Sequence, residues 1–519
     1  MATPPPAPPR ERAALGERGR AYLEAWPGRV RAAARQPVYI ALGVVFLVGL
    51  ALRLYFIWRW RPALIGFPDT SIYIEDALTG IFNDPLRVGG YSEFLRLMHG
   101  IRPHLSFAIF VQHLLGLASG LLLFGAVRRA GLSGWVALVP AAVVMLGGSE
   151  IFVEHAPLSE AVFIFLVDLA LYAIVRAWQG AWGWAALAGL ALGAATDVRS
   201  LGLVLLVVMI VVATLTTPGA WRRRVVVGAV MLVAAALPIG GFLHAHEQAE
   251  GYGGFTGAGY FDLYARAAPF ANCSKFTPPA GTADLCIHVP RSQRPGHDFW
   301  EFTGTSPAVQ AFGEPDLTVP KPGENAKLRA FAEAAILGQP LEYLEYVGRD
   351  LVRIVDPSFP SSPYGNKGPT GTGYGNTPQS LIDYYFNTSN LYSIDPILAA
   401  YYPGDGEVHK SVTFLLDYER DTRIEGPLMA LLLLLAFAAP ILTRGQERRA
   451  ALLFFAATVL LLAGPVFLSE YDYRFTIPAF GPLAATAAIG AWAMFHRVRP
   501  LIRRTRAETH PVEQLASSP

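Results

Sequence analysis

The chain has 519 residues, of which 53% are hydrophobic and only 16% are charged, and its formal net charge is +2. A soluble protein carries about 25% charged residues, so the composition argues against a soluble globular protein. The near-neutral balance argues against a nucleic-acid-binding protein. Because the apolar residues are concentrated in long runs, the sequence predicts a membrane protein.

A membrane-spanning helix needs roughly 20 mainly apolar residues. Segments of this kind recur along both ends of the chain, and they predict an all-α polytopic membrane protein with about ten transmembrane helices. The candidate spans are 38–58, 104–127, 133–149, 157–177, 183–198, 201–217, 225–244, 427–443, 451–468 and 476–495.

Basic residues orient these spans, because Lys and Arg accumulate on the cytoplasmic side of a cell membrane. With ten spans and both termini in the cytoplasm, the basic clusters fall on one side. These clusters are the N-terminal arm, 128–129, 222–224, 444–449 and 497–506. The loop 59–103 is also rich in arginine, yet this topology places it outside the cell membrane. An active-site loop has its own reason to be basic, so this exception does not overturn the topology.

This topology divides the chain into five parts. They are a disordered cytoplasmic arm (1–37), an N-terminal transmembrane catalytic module (38–244) with its first external loop (59–103), an extracytoplasmic domain of mixed or irregular structure (245–426), C-terminal transmembrane helices (427–495) and a cytoplasmic tail (496–519). Residues 327–354 read as two amphipathic helices broken at Pro340, lying on the membrane surface.

The two cysteines of the chain, Cys273 and Cys286, both lie in the predicted extracytoplasmic domain. Disulfides persist in such oxidising compartments, so we predict that these residues form a disulfide. The alternative is a pair of buried free thiols.

The first external loop carries residues suited to acid–base chemistry. Asp69, Tyr73 and Asp76 are spaced to share one face of a helix, and Tyr91 follows in a Gly-Gly-Tyr turn. The plainer interpretation is a connecting loop with solvated acids.

Further ionisable residues lie at the outer ends of the spans. Placing a charged side chain in or beside a membrane span costs free energy, so such residues are functional candidates. Glu154, His155 and Glu160 lie between spans three and four. Glu160 has the alternative role of a structural hydrogen bond between helices. Asp168, deeper in span four, is interpreted as a packing or pairing residue.

Two arginines converge on the same outer surface by topology. Arg199 follows span five, and Arg474, next to Tyr473, precedes span ten. Guanidinium groups there suit an anionic headgroup such as a phosphate, whereas the alternative is ordinary positioning of arginine at the membrane interface.

The order and sidedness of these motifs resemble the GT-C superfamily, in particular its branch related to protein O-mannosyltransferases and aminoarabinose transferases. The matching elements are Asp69, Tyr73, Ala77 and Gly90–Tyr91 in the first loop, Ser159–Glu160, the Gly-rich stretch from Gly193 to Arg199, and Tyr473–Arg474. Many relatives have two adjacent acids in the first loop, whereas Thr70 follows Asp69 here.

The resemblance implies transfer of a glycosyl group, with inversion, from a polyprenyl-phosphate sugar to an extracytoplasmic acceptor, which is an envelope polysaccharide, a lipid or a protein. Asp69 would be the general base, and Glu154 and His155 would assist it. Arginines, or a divalent metal ion held by Asp69 with Glu154 or His155, would stabilise the departing phosphate. Substrate would contact Tyr73, Asp76, Tyr91, Glu160, Arg199, Tyr473 and Arg474.

Other classes of membrane protein fit the sequence less well. A transporter or flippase for a lipid-linked envelope precursor predicts internal repeats and polar residues near mid-depth, whereas the ionisable residues here gather at one face. A different lipid-headgroup enzyme or polymerase and a non-catalytic scaffold stay open. No Gly-rich phosphate loop and no zinc-type Cys/His spacing is present in the sequence.

Overall fold

The computed structural model describes residues 36–65, 68–251, 253–315, 323–356, 401–403, 406 and 408–509. Nearly all of the predicted N-terminal arm and the end of the predicted tail lie outside these residues.

A bundle of apolar helices forms most of the described structure, and each of the ten candidate spans coincides with a helix. In chain order, the bundle helices are α1 (Pro37–Arg59), α4 (Leu105–Arg129), α5 (Gly134–Leu146), α6 (Gly148–His155), α7 (Glu160–Ala177), α8 (Trp182–Val198), α9 (Leu201–Thr216), α10 (Trp221–Glu250), α17 (Gly426–Leu442), α18 (Gly445–Leu468) and α20 (Phe480–Thr509). This confirms the predicted all-α polytopic class.

The number of spans is less definite than the class. Five described helices are long and apolar enough to cross a membrane, and two bent pairs raise the figure to seven. One of these pairs is α5 with α6, which bend by 45° at Gly147. The count of ten therefore stays a prediction.

Small residues allow the helices to approach closely. Gly189 and Gly193, one turn apart on α8, face α10, and a β-carbon at Gly189 would lie 2.1 Å from the carbonyl oxygen of Met231. Such small residues at four-residue spacing let transmembrane helices meet at the backbone. The N-terminal bundle helices therefore form a tight scaffold for the loops at their ends.

The remaining elements gather at one end of the bundle, which we call the loop end. They are β1 (Trp60–Arg61), α2 (Pro68–Thr79), α3 (Gly90–Ile101), α11 (Tyr260–Ala267), α12 (His297–Phe302), α13 (Pro307–Phe312), α14 (Glu324–Gly338), α15 (Pro340–Arg353), β2 (Val408–His409), α16 (Thr413–Thr422) and α19 (Tyr473–Thr476). Strands β1 and β2 pair antiparallel, with Trp60 opposite His409.

The region between α10 and α16 is helical and irregular where it is described, and it has its own core. The aromatic side chains of Phe261, Tyr264 and Phe331 are buried there. The predicted helix pair broken at Pro340 is confirmed as α14 and α15. Three 3₁₀ turns complete the described elements, at Ala283–Leu285, Arg291–Gln293 and Ile477–Ala479.

Two contacts fasten this outer region to the bundle and to the first loop. The amide of Ala258 donates to the carbonyl of Pro85 at 2.7 Å, and the Tyr343 hydroxyl donates to the carbonyl of Phe467 at 2.8 Å. Cys273 and Cys286 form a disulfide within the outer region, with Cα atoms 6.0 Å apart. The loop end is thus one connected surface.

Candidate active site

The first loop places Asp69 in the first turn of α2. One carboxylate oxygen, Oδ1, accepts from Arg87 at 2.8 Å. The other oxygen, Oδ2, lies 2.8 Å from Nη1 of Arg474. Asp69 therefore sits between two guanidinium groups that come from opposite ends of the chain.

A second carboxylate joins the same group of charges. Oε1 of Glu160, at the start of α7, lies 2.5 Å from Nη1 of Arg199 and 3.1 Å from Nε of Arg474. Arg474 thus bridges Asp69 and Glu160. We call Asp69, Arg87, Glu160, Arg199 and Arg474 the arginine cluster.

An aromatic ring separates two of these cations. The guanidinium carbons of Arg199 and Arg474 each lie 5.2 Å from the ring centre of Phe475. Cation–π attraction holds both planes near this ring. The two arginines therefore converge on one place, although they are far apart in the sequence.

The charges in and beside the arginine cluster are close to balance. Three guanidinium groups face two carboxylates within the cluster, and a third carboxylate, that of Asp84, contacts Arg87 at 2.6 Å. Burial alone would raise the pKa of Asp69, but the charges of Arg87 and Arg474 outweigh it and hold that pKa well below its usual range. Asp69 is therefore ionised at neutral pH.

Tyr73 borders the arginine cluster from the next turn of α2. Its hydroxyl donates to Oγ of Ser159 at 3.4 Å, and Arg199 donates to the same oxygen at 3.1 Å. Burial and the nearby charge of Asp69 raise the pKa of Tyr73 to about 12. Tyr73 is therefore a neutral hydrogen-bond donor beside two charged groups.

Tyr91 lies one layer further from the arginine cluster. Its ring packs edge to face on that of Tyr73, with centroids 4.8 Å apart, and its hydroxyl donates to Gln112 at 2.5 Å. Tyr91 therefore supports Tyr73 from α3.

Arg87, for which no role was predicted from the sequence, contacts both Asp69 and Asp84. The signal that could have found it was the excess of arginine in a loop predicted to be external. Asp84 stabilises the turn by accepting from the amides of Leu86 and Arg87 at 2.6 and 2.9 Å. Asp76 is buried on α2, and burial together with the charge of Asp84 raises its pKa to about 7.

Glu154 and His155, the other two predicted catalytic residues, lie in a separate buried network. Glu154 makes a two-point ion pair with Arg53, with both N–O distances 2.7 Å. Nδ1 of His113 lies 2.8 Å from Glu154, and Nε2 of His113 lies 3.0 Å from His155. We call Arg53, His113, Glu154 and His155 the interior network.

The interior network is saturated by its own members and by the backbone. Arg53 also donates to the carbonyls of Gly49 and Met145, and Nε2 of His155 donates to the carbonyl of Trp60 at 3.1 Å. The ring of His155 stacks on Phe56. These contacts are structural, and the geometry does not support a catalytic role for Glu154 or His155.

Two further residues differ in position from their predicted roles. The Tyr473 hydroxyl lies 3.0 Å from Oγ of Ser149, which itself donates to Glu419, so Tyr473 faces the bundle interior rather than the arginine cluster. Asp168 is buried on α7 without a hydrogen-bond partner among the described residues. Of the two roles predicted for Asp168, packing or pairing, its burial agrees with packing, and no pairing partner is found there.

A divalent metal ion on Asp69 does not fit this geometry. Both oxygens of Asp69 are engaged by guanidinium groups, whose positive charge opposes a cation. Within the described residues, the groupings of His, Asp and Glu that could hold a metal ion include none of Asp69, Glu154 and His155. The arginines are the groups at this site that could stabilise a phosphate.

Comparison with known proteins gives one family match. Residues 100–245 match the model of the family described as dolichyl-phosphate-mannose-protein mannosyltransferase. This segment runs from the end of α3 through α10 and contains Glu160 and Arg199. No curated protein matches the chain in a sequence comparison.

Solved structures share low identity with the chain. The apo oligosaccharyltransferase of Archaeoglobus fulgidus is 12% identical, with a TM-score of 0.43, and the match covers 93% of this chain and 53% of that one. The chain thus spans about half the length of that structure. ArnT from Cupriavidus metallidurans bound to undecaprenyl phosphate is 14% identical, with a TM-score of 0.31 and coverage of 90% and 80%. The family match over residues 100–245 supports the predicted resemblance to membrane glycosyltransferases of the GT-C superfamily.

Proposed function

We propose that this chain transfers a glycosyl group from a polyprenyl-phosphate-linked donor to an acceptor hydroxyl outside the membrane, with inversion at the sugar carbon. The single observation that carries the proposal is the arginine cluster, in which Arg474 bridges the carboxylates of Asp69 and Glu160. It combines a candidate base with cations for a phosphate, at the end of an apolar bundle where a lipid chain can lie.

In this mechanism the donor phosphate competes for Arg199 and Arg474. A phosphodiester oxygen offers these guanidinium groups a negative charge in place of the Glu160 carboxylate, with which they form ion pairs. As Arg474 turns to the phosphate, Asp69 loses one of its two cationic partners and its pKa rises towards the usual range. Donor binding thereby converts a weakly basic carboxylate into a stronger base.

The transfer is a single displacement. Asp69 takes the proton of the acceptor hydroxyl as that oxygen forms a bond to the anomeric carbon. The bond from this carbon to the phosphate oxygen breaks, and its electron pair leaves with polyprenyl phosphate. Arg199 and Arg474 stabilise the added negative charge on the leaving group.

The test uses purified full-length protein in lipid nanodiscs with a panel of polyprenyl-phosphate pentoses and hexoses and an envelope extract as acceptor. We expect one donor to release polyprenyl phosphate in step with a glycosylated product. Asp69→Asn should abolish the release of polyprenyl phosphate and the formation of product. Glu75→Gln, which changes an exposed acid on the same helix, should retain the two activities.

The competing flippase function has a different outcome. In proteoliposomes, a flippase would move a lipid-linked sugar between leaflets, and Asp69→Asn would leave that movement intact. This result, together with the absence of product from every donor, would overturn the proposal. Product formed at the wild-type rate by Asp69→Asn would instead reject Asp69 as the base.

A further inference from the structure

A second cluster of ionisable side chains lies at the loop end, outside the arginine cluster. It surrounds His297, the first residue of α12, which is 4% exposed. One ligand atom each of Asp262, His297 and Glu301 lie within 4.8 Å of one another, and so do ligand atoms of His297, Asp298 and Glu470. Four carboxyl groups therefore surround one imidazole.

The hydrogen bonds of His297 determine which ring nitrogen is available. Nε2 lies 3.1 Å from the backbone carbonyl oxygen of Asp262, and because a carbonyl only accepts, Nε2 carries a hydrogen. Nδ1 is buried and has no hydrogen-bond partner among the described residues. A histidine that donates one N–H to a carbonyl and presents the other nitrogen is the usual arrangement of a metal ligand.

The distances around Nδ1 are those of ligands around an ion rather than of hydrogen bonds. Nδ1 lies 3.6 Å from Oε2 of Glu301 and 3.8 Å from Oδ1 of Asp298, beyond hydrogen-bonding reach. Tetrahedral ligand atoms at Zn–N and Zn–O distances of about 2.1 Å lie roughly 3.4 Å apart. The observed separations are close to that value.

Two of the carboxyl groups also lie next to each other. A carboxylate oxygen of Asp298 and one of Glu470 lie within 4.8 Å of each other, and within the described part of the chain neither residue forms an ion pair with an arginine or a lysine. Two adjacent carboxyl groups need either a shared proton or a cation between them. With His297 beside them, a cation gains three ligands from the protein.

We propose that His297, Asp298 and Glu470 bind one divalent transition-metal ion, with Zn²⁺ or Mn²⁺ as the class favoured by one imidazole and two carboxylates. The side chain of Asp298 is half exposed, which gives the ion access from solvent. Ser469 donates to the carboxylate of Asp262 at 2.9 Å and ties the connection after α18 to the same place.

The position of this ion connects the outer region with the transfer site. Glu470 precedes Arg474 by four residues, and between them Asp472 accepts from the amide of Arg474 at 2.8 Å. An ion on Glu470 therefore fastens the connection 469–472 to α12 and holds the backbone from which Arg474 reaches Asp69. This positioning role does not depend on which sugar or acceptor is used.

The experiment measures metal content and thermal unfolding of the full-length protein, purified on a tag without histidine and freed of metal by chelation. After equilibrium dialysis against Zn²⁺ or Mn²⁺, we expect one ion per chain and a raised unfolding temperature. His297→Ala and Glu470→Gln should each lose the bound ion and the thermal shift. The control His288→Ala, an exposed histidine of the same region, should keep both.

The opposite results are equally clear. The proposal is overturned if the wild-type protein binds no more of either metal than His297→Ala does. It is also overturned if the wild-type protein unfolds at the same temperature with and without metal. Asp298 and Glu470 would then share a proton instead of a metal ion. If His297→Ala does not yield folded protein, Glu470→Gln gives the same comparison with a change that keeps side-chain size.

Discussion

The arginine cluster and the interior network both pair arginine with carboxylates, but the pairs are arranged differently. In the interior network, Arg53 is 1% exposed and makes a two-point ion pair with Glu154, and backbone carbonyls take up its other donors. In the arginine cluster, the side chain of Arg199 is 19% exposed, and one oxygen of Glu160 serves both Arg199 and Arg474.

This difference separates a structural site from a ligand site. A saturated buried pair leaves no position for a substrate, and removing one partner leaves an uncompensated charge. A carboxylate shared between a partly exposed and a buried guanidinium group can instead be displaced by a phosphate, which supplies the same negative charge. The four predictions below test this contrast.

The largest effect is expected on stability in the interior network. Glu154→Gln should lower the free energy of unfolding by about 3–5 kcal/mol, because Arg53 keeps its charge in a buried position. Thermal unfolding in nanodiscs measures this, with the exposed Glu93→Gln as the control. A variant that unfolds like wild type but has lost transfer would make Glu154 a functional residue after all.

In the arginine cluster, a substitution should reduce activity and leave stability nearly unchanged. Asp69→Asn keeps size and hydrogen bonding but removes the proton acceptor, so kcat should fall about 100-fold or more with the unfolding temperature near that of wild type. Initial rates of product formation measure this, and Glu75→Gln is the control on the same helix. A kcat that falls less than that of Asp76→Asn would move the base to Asp76.

Removal of a phosphate contact should have a smaller effect. Arg199→Ala should cost about 1.5–3 kcal/mol in kcat/KM, the range for a hydrogen bond to a charged group. Arg199→Lys should recover only part of this, because an ammonium group lacks the planar fork. Steady-state kinetics over donor concentration measure the effect, with the exposed Arg96→Ala as control. Normal kinetics in Arg199→Ala would leave interfacial positioning as its role.

The smallest effect concerns pH. Because burial raises the pKa of Asp76 to about 7, folding favours its protonated form. Its stabilising contribution is complete below the unfolded pKa near 3.9 and is lost as pH rises to about 7. Asp76→Asn should therefore raise stability at pH 8 by about 1–2 kcal/mol, since one pKa unit corresponds to about 1.4 kcal/mol, and change it little at pH 4.

Unfolding temperatures of wild type and Asp76→Asn across this pH range measure the effect, and Glu93→Gln corrects for general charge effects. A difference between the two proteins that does not vary with pH would show that folding does not shift the pKa of Asp76.

Much of the fold follows from local sequence. The apolar runs place the bundle helices to within a few residues, because burial of 20 apolar residues in lipid outweighs local preferences. The break at Pro340 between α14 and α15 follows from a missing amide hydrogen. The spacing of Asp69, Tyr73 and Asp76 predicts the helix α2 that the structure contains.

The partners of the site residues do not follow from local sequence. The ionisable residues between spans three and four read alike, yet Glu160 meets Arg199 and Arg474 whereas Glu154 meets Arg53 and His113. The bend at Gly147 and the turn before α7 direct these side chains to different places. Such a turn is decided by packing against other helices, which sequence spacing does not describe.

The sequence by itself determined the membrane class, the positions of the helices, and the convergence of Asp69, Arg199 and Arg474 on one face, because hydropathy and arginine distribution act over single segments. Only the tertiary structure decided which acid each arginine contacts, that Arg87 belongs to the arginine cluster, and that His297 gathers Asp298, Glu301 and Glu470. The pairs Asp69–Arg474 and His297–Glu470 join residues far apart in the chain, and their geometry exists only once the helices have packed.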